Sequence, residues 1–168
     1  YLLRGLTVDR PNQVWAMDIT YIPLGSSHMY LVGIIDVYSR YIVGWSLSNT
    51  MTTRWCRECL DEAIKNHGVP EIVNTDQGSQ FSSPEFSAYF SSHEGLKFSM
   101  DGKGRAIDNI FIERFWRNIK YEKIYLEPSD NGLDLYRKIK EYMTYYNTER
   151  PHQGLEYKRP VEIYRTAA

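Results

Sequence analysis

Three strand-like segments follow one another between residues 13 and 48, and that succession constrains the fold more than any other feature. QVWAMDITYI (13–22), MYLVGIIDV (29–37) and RYIVGWSLS (40–48) are rich in β-branched and aromatic residues. Pro23 and the loop LGSSH end the first. Only a tight YSR turn separates the second from the third, so these two are predicted to form an antiparallel hairpin. The pattern then changes. TTRWCRECLDEAIKNHG (52–68) reads as a helix opened by Thr and closed by Gly68 and Pro70. EIVNT (71–75) is a short strand apolar enough to be central, SPEFSAYFSSH (83–93) a helix with Pro in its first turn, and LKFSM (96–100) a fifth strand. A glycine-bearing loop, DGKGRA (101–106), leads to a helix over about 109–125 that Asp108 can cap, and LDLYRKIKEYMTYYNTE (133–149) is a second long helix. Strands, then helix and strand in alternation, then helices: the order predicts an α/β fold with one five-stranded mixed sheet flanked by helices.

Length allows one domain with an appendage but not comfortably two. The expected division is a linker at 1–10, a core at 11–127, and a helix and tail at 128–168 packed on that core. A hydrophobic content of 42% with 14% aromatics excludes a disordered chain. No apolar run approaches the ~20 residues of a membrane span; the best stretch, YLVGIIDVY, is short and carries Asp36. YLLRGLTVDR is not a signal peptide. Because the chain starts with Tyr rather than Met, it is read as a piece of a longer protein. Cys56 and Cys59 lie at i and i+3 of a helix with no second CxxC, so they read as core filling in a reduced, cytoplasmic protein.

A net charge of −1 argues mildly against nucleic acid as a partner. The average hides a local excess: between 103 and 123 stand Lys103, Arg105, Arg114, Arg117, Lys120 and Lys123 against Asp108, Glu113 and Glu122. Asp18 lies mid-strand in WAMDITYI, where an ionised carboxylate is costly unless paired or bound to metal. Asp76 ends the strand EIVNT and precedes the glycine turn of NTDQGSQF. If those strands are neighbours, the two carboxylates face each other, and a shared proton or a divalent cation resolves their repulsion. Oxygen ligands alone favour Mg²⁺ or Mn²⁺ over zinc. On the helix 109–125, spacing puts Asn109, Glu113, Arg117 and Lys120 on one face and Ile110, Ile112, Phe115, Trp116 and Ile119 on the other. An acid aligned with two cations suits a metal-bound phosphodiester; a solvated surface ion pair explains the spacing equally well.

These residues carry a resemblance. WAMDITYI, IIDVYSRYIVGW, NTDQGSQF, SMDGKGRAIDNIFIERFWRNIKYE and YNTERPHQGL, in that order, resemble the catalytic region of bacterial insertion-sequence transposases, relatives of retroviral integrases. The resemblance runs from about Val8 to Tyr164. It implies a ribonuclease H-like fold, an acidic triad of Asp18, Asp76 and Glu113, and two Mg²⁺ (or Mn²⁺) ions that activate a water or a DNA 3′-hydroxyl against a phosphodiester. It also implies DNA as partner, both element ends and target, with Lys103, Arg105, Asn109, Arg117 and Lys120 as candidate contacts, and a dimer or higher multimer in the active complex. A helix-turn-helix region expected upstream is not in this chain. Such transposases usually place 35 residues between the second Asp and the Glu; here residues 77–112 make 36, with the extra residue falling near SSHEGLKF.

Other residues carry weaker expectations. Asp36 is expected to support the site without holding metal. His28, His67 and His93 read as solvent-facing, Trp15, Trp45 and Trp116 as core, and His152 in ERPHQGL has no assigned chemistry. Two rival functions remain: a ribonuclease H-like or junction-type nuclease, and an inactive element remnant that binds DNA without cutting it.

Overall fold

Five strands form one sheet in the order β3-β2-β1-β4-β5. β1 (Val14–Leu24), β2 (Ser27–Asp36) and β3 (Ile42–Ser48) run antiparallel in sequence, whereas β4 (Ile72–Thr75) lies parallel to β1 and β5 (Lys97–Met100) parallel to β4. This is the mixed sheet that the element order predicts. The structure, a computed structural model, describes residues 2–102 and 109–166. The helices are α1 (Thr53–His67), α2 (Pro84–Ser91), α3 (Ile110–Ile119), α4 (Gly132–Thr148) and α5 (Pro160–Thr166), and α3 continues into a π-helical turn at Lys120–Ile124.

The helix ends lie where local chemistry puts them. Thr52 accepts from the Trp55 N–H and Ser83 from the Phe86 N–H, satisfying donors that the first helical turn leaves open. Gly68 closes α1 at φ 87°, a conformation that glycine adopts without cost. Asp108, the predicted cap of α3, lies outside the described residues; Asn109 takes the cap position and makes no capping bond through its side chain.

One strand departs from expectation. β1 does not stop at Pro23 but runs to Leu24 and turns through Gly25 and Ser26 into β2. β4 pairs only with Val14–Met17, so Pro23 sits where β1 has a neighbour on one flank only, and proline is tolerated at such an edge.

Alternation along the strands divides the core into two layers. Trp15, Met17, Val32, Ile34 and Val73 point to α1 and α2, where Cys56, Cys59, Leu60, Phe86 and Phe90 meet them. Ala16, Ile22, Leu31 and Ile35 point the other way, onto Ile112, Phe115, Trp116 and Ile119 of α3 and Leu135, Ile139, Tyr142, Met143 and Tyr146 of α4. Both cysteines are free and buried, as core-filling thiols should be. α4 is tied to β3 by Asn147, whose side chain accepts from the Ile42 N–H at 2.8 Å and donates to its carbonyl at 3.0 Å. Those bonds engage the backbone at the start of an edge strand.

Candidate active site

The parallel pairing of β1, β4 and β5 creates the site. Met17 is opposite Thr75 and Thr75 opposite Met100, so Asp18, Asp76 and Asp101 follow at the same level of three adjacent strands. Met17, Val73, Phe98 and Met100 face α1 and α2, so alternation puts Asp18 and Asn74 on the α3 side.

Asp18 is fixed from two directions. The Trp116 indole donates to Asp18 Oδ2 at 3.0 Å. Trp116 reaches it because Gly33, the cross-strand partner of Asp18, has no side chain: a Cβ there would stand 2.6 Å from the indole. Burial pushes the Asp18 carboxyl up from 3.8 to about 6; the bond from Trp116 and the Ile19 N–H oppose that, and the charges of Asp76 and Glu113 add to it. Both acids therefore act on Asp18 electrostatically. Asp76 is anchored by its own turn, accepting from the Gly78 N–H at 2.8 Å, and a Cβ on Gly78 would come within 2.9 Å of that same oxygen. The carboxylate itself thus leaves no room for a side chain at position 78.

Glu113 lies on the exposed side of α3, one residue from the buried Ile112. Its helix is held at the start by a polar cluster that the sequence did not reveal. Asp101 accepts from Asn74 Nδ2 at 2.7 Å on one oxygen and from Asn109 Nδ2 at 2.7 Å on the other. The Asp101 N–H donates to the Thr75 carbonyl and Gln77 donates to the Asp101 carbonyl. A buried polar side chain in a four-residue strand, Asn74, was the available signal, since such a group needs a partner.

The candidate DNA contacts separate. Arg117 is exposed, with its guanidinium over the Tyr121 ring. Lys120 points inward, donating to Thr20 Oγ1 at 2.7 Å; burial lowers its pKa and the Asp18 charge opposes that. Asn109 is only 3% exposed and its amide is spent on Asp101, which corrects the expectation that it faces DNA. Lys103 and Arg105 lie outside the described residues.

Asp36 is a second correction. It pairs with Trp15, three positions along from the Asp18–Gly33 pair, and its carboxylate is fully buried. It accepts from the Asn12 N–H, the Ser39 N–H and the Ser39 hydroxyl, so it closes the β2–β3 turn and ties the N-terminal segment to it. His28 is exposed as expected, but His67 is half-buried between Tyr41 and Tyr164, and His93 packs on Tyr89. Trp15 and Trp116 are buried; Trp45 is half-covered against Tyr136. The segment near SSHEGLKF turns between α2 and β5, with Gly95 at φ 82°. Because β5 runs parallel to β4 and starts opposite Ile72, that turn lies at the end of the sheet away from Asp76.

Among the described residues, no three His, Cys, Asp or Glu side chains stand close enough together to enclose a metal ion. The carboxylates of Asp18 and Asp76 nevertheless offer hard oxygen ligands: the Trp116 indole and the Gly78 N–H, both neutral donors, hold one oxygen of each without neutralising its charge.

Residues 8–106 match the family described as integrase core domain, and residues 94–160 match a second family model of the same description. The transposase for insertion sequence element IS904 of Lactococcus lactis is 42% identical over 156 residues, 91% of this chain and 61% of that protein. The putative transposase InsK for insertion sequence element IS150 of Escherichia coli is 31% identical over 163 residues, 96% of this chain and 57% of that protein. The chain thus spans roughly three fifths of the length of these curated relatives. Among solved structures, the HTLV-2 integrase catalytic core domain in complex with magnesium matches with a TM-score of 0.75 at 24% identity, covering 93% of this chain and 98% of that one. A chain of the simian T-cell lymphotropic virus intasome in complex with PP2A regulatory subunit B56 gamma matches with a TM-score of 0.80 at 21% identity, covering 93% and 55%. At these identities the likeness establishes the fold, which is ribonuclease H-like.

Proposed function

The chain belongs to the integrase core domain family, and from that premise we propose that it is the catalytic part of an insertion-sequence transposase, cleaving DNA phosphodiesters and joining 3′-hydroxyl ends to target DNA. Asp18, Asp76 and Glu113 form its acidic triad. The observation that carries this reading is the parallel register of Met17 with Thr75, which brings Asp76 level with the half-buried Asp18, on which the charge of Glu113 bears as well. One carboxyl group under the influence of two others, beside a lysine and where the parallel pairing of β1 with β4 ends, suits divalent cations and a phosphodiester.

Two Mg²⁺ or Mn²⁺ ions bound there would lower the pKa of the attacking water or hydroxyl and stabilise the leaving oxygen. The chain's own residues do the positioning. Trp116 sets the rotamer of Asp18, and the Gly78 N–H sets that of Asp76. The Asn74–Asp101–Asn109 cluster holds the start of α3 and so aims Glu113. Lys120 donates to Thr20 Oγ1, near enough to Asp18 for the two charges to attract. Arg117 is free to meet phosphates, a contact that positions DNA without reading its sequence. DNA ends and target are the partners, and joining two ends at one target requires more than one copy of the chain. The core at 11–127, extended by the helix and tail at 128–168, is the unit proposed to act.

The test is strand transfer. Full-length protein with Mg²⁺ or Mn²⁺ and a labelled duplex with a free 3′-hydroxyl should give joined products, and Asp76→Asn should give none. Cleavage of the RNA strand of a hybrid without joining would favour the ribonuclease reading, and DNA binding without any cutting would favour the inactive remnant.

A further inference from the structure

A basic groove lies beside the N-terminal end of α3, between the 37–41 turn and the ERPHQGL segment. It consists of two cavities of about 660 and 440 Å³ that share the walls Arg40, Phe111, Gly154 and Leu155. Arg114, Arg150 and His152 line the larger one, and Lys158 and Glu156 the smaller.

The charges of this groove do not balance. Arg150 is matched: its guanidinium grips Glu122 at 2.5 Å and 2.9 Å, and Tyr142 also donates to that carboxylate. Arg40 and Arg114 have no carboxylate at ion-pair distance among the described residues. Arg40 donates to the carbonyls of Val37 and Tyr38 and lies flat against Phe111, 3.4 Å from the ring centroid. Burial lowers its pKa; Tyr146 and Asp36 oppose that, and the Arg114 charge adds to it. Among the described residues, the only acid acting on Arg40 is the buried Asp36, which lies beyond ion-pair distance and is already engaged by Ser39 and Asn12, so the guanidinium keeps capacity for an anion. The backbone is strained here as well: Arg40 has φ 67°, and Glu156 on the opposite wall has φ 55°. Non-glycine residues keep such conformations at a cost of about 1 kcal/mol or more. His152 stands edge-on to Tyr146, and its Nε2 is buried without a hydrogen-bond partner among the described residues.

Guanidinium forks match phosphate geometry better than any other side chain. α3 sets where that phosphate would lie. Phe111, Arg114 and Asn118 form the stripe facing the groove, and Glu113, Arg117 and Lys120 form the stripe beside it. A DNA strand leaving the acidic site along α3 therefore meets the groove next. We propose that this groove is a second phosphate site, which clamps the DNA backbone beside the scissile phosphodiester through Arg114 and Arg40. The tail segment ERPHQGL is thereby part of the DNA-binding surface rather than a structural appendage. This inference rests on the DNA-processing reading above.

The experiment compares the whole chain with Arg114→Ala and Arg114→Glu. Arg114 is exposed and unpaired among the described residues, so both variants should melt like the parent. Binding of a short duplex of arbitrary sequence is measured by fluorescence anisotropy over a salt series, and the His152 ring resonances are followed by NMR in the same titration. The slope of log affinity against log salt should flatten by about 1 in Arg114→Ala, with affinity several-fold lower, and lower again in Arg114→Glu. DNA should shift the His152 signals in the parent and leave them in place in Arg114→Glu. Parental slopes in both variants, or His152 signals unmoved at saturation of the parent, would overturn the groove while leaving the transposase reading intact. A parent chain without salt-dependent DNA binding would overturn both.

Discussion

The acids of the candidate site reach it by two different means. Asp18 and Asp76 stand on adjacent parallel strands, where a ladder of backbone hydrogen bonds fixes their separation and each carboxylate accepts from an N–H of its surroundings. Glu113 stands on the exposed side of a helix whose position depends on side chains: Asn109 on Asp101 at its start, Phe111 against Arg40, and Trp116 over Gly33 and onto Asp18. A sheet edge places charge rigidly, and a helix packed through a few contacts places it adjustably. The contrast teaches that the aspartates are preorganised by the fold, whereas the glutamate is brought in by a small set of replaceable contacts.

Removing either kind of acid is the largest expected perturbation. Asp76→Asn and Glu113→Gln should each lower strand transfer by more than about 100-fold, since losing even an outer partner of a metal ligand costs 10–100-fold. Circular dichroism should show both variants folded. Wild-type rates in Glu113→Gln with Mg²⁺ would remove Glu113 from the triad and end the contrast.

Loosening the helix without touching an acid sharpens the comparison. Asn109→Ala strips Asp101 of one buried donor, which should cost about 1–3 kcal/mol of stability. It should also lower activity about 10–100-fold, in the manner of other outer-shell changes. Divalent-cation binding at the aspartate pair, followed by calorimetry with Mn²⁺, should change far less than turnover. Equal losses in both would show that the cluster supports all three acids alike.

Gly33→Ala tests the contact between the two regions. The added methyl would stand 2.6 Å from the Trp116 ring, so the indole must move and Asp18 loses its donor. A destabilisation of about 1–3 kcal/mol is expected from such overpacking, read as a lower midpoint in urea. An unchanged midpoint would mean that Trp116 is not pressed against the sheet.

The smallest effect is electrostatic. The folded-state pKa of Asp18 is about 6, above its ordinary 3.8, so ionising Asp18 is harder in the folded than in the unfolded chain. Stability associated with the protonated form is fully present below pH ~4 and is lost as pH rises through 6. Asp18→Asn removes this dependence. Without divalent cation the variant should gain about 1–2 kcal/mol over the parent at pH 7, after allowance for partial solvent screening, and nothing at pH 4. Saturating Mg²⁺ should abolish the gain by stabilising the parent. A difference between the two proteins that does not vary with pH would sink the assignment of the shift.

Much of this protein was legible in the chain because its signals are local. β-branched runs and turn residues gave the strands, Thr52, Ser83 and Gly68 marked helix ends, and 3.6-residue spacing put Glu113 and Arg117 opposite Ile112, Phe115 and Ile119. An aspartate amid WAMDITYI signalled a charge that needs a partner. Other facts depend on registers between segments far apart in sequence, for which no local pattern exists. Parallel pairing of Met17 with Thr75 decides that Asp76 comes level with Asp18. A three-residue displacement along β2 makes Asp36, expected to support the site, the latch of a turn instead. Pro23 stays in its strand because β4 is too short to reach it. Asn109 occupies the helical stripe of Glu113, yet Asp101 draws it inward, because the half-buried carboxylate takes one donor from the neighbouring strand and one from the helix. The sequence alone thus determined which groups carry the charge and which elements bear them. Tertiary structure decided which of those groups meet, because pairing across the sheet sets distances that covalent neighbours cannot.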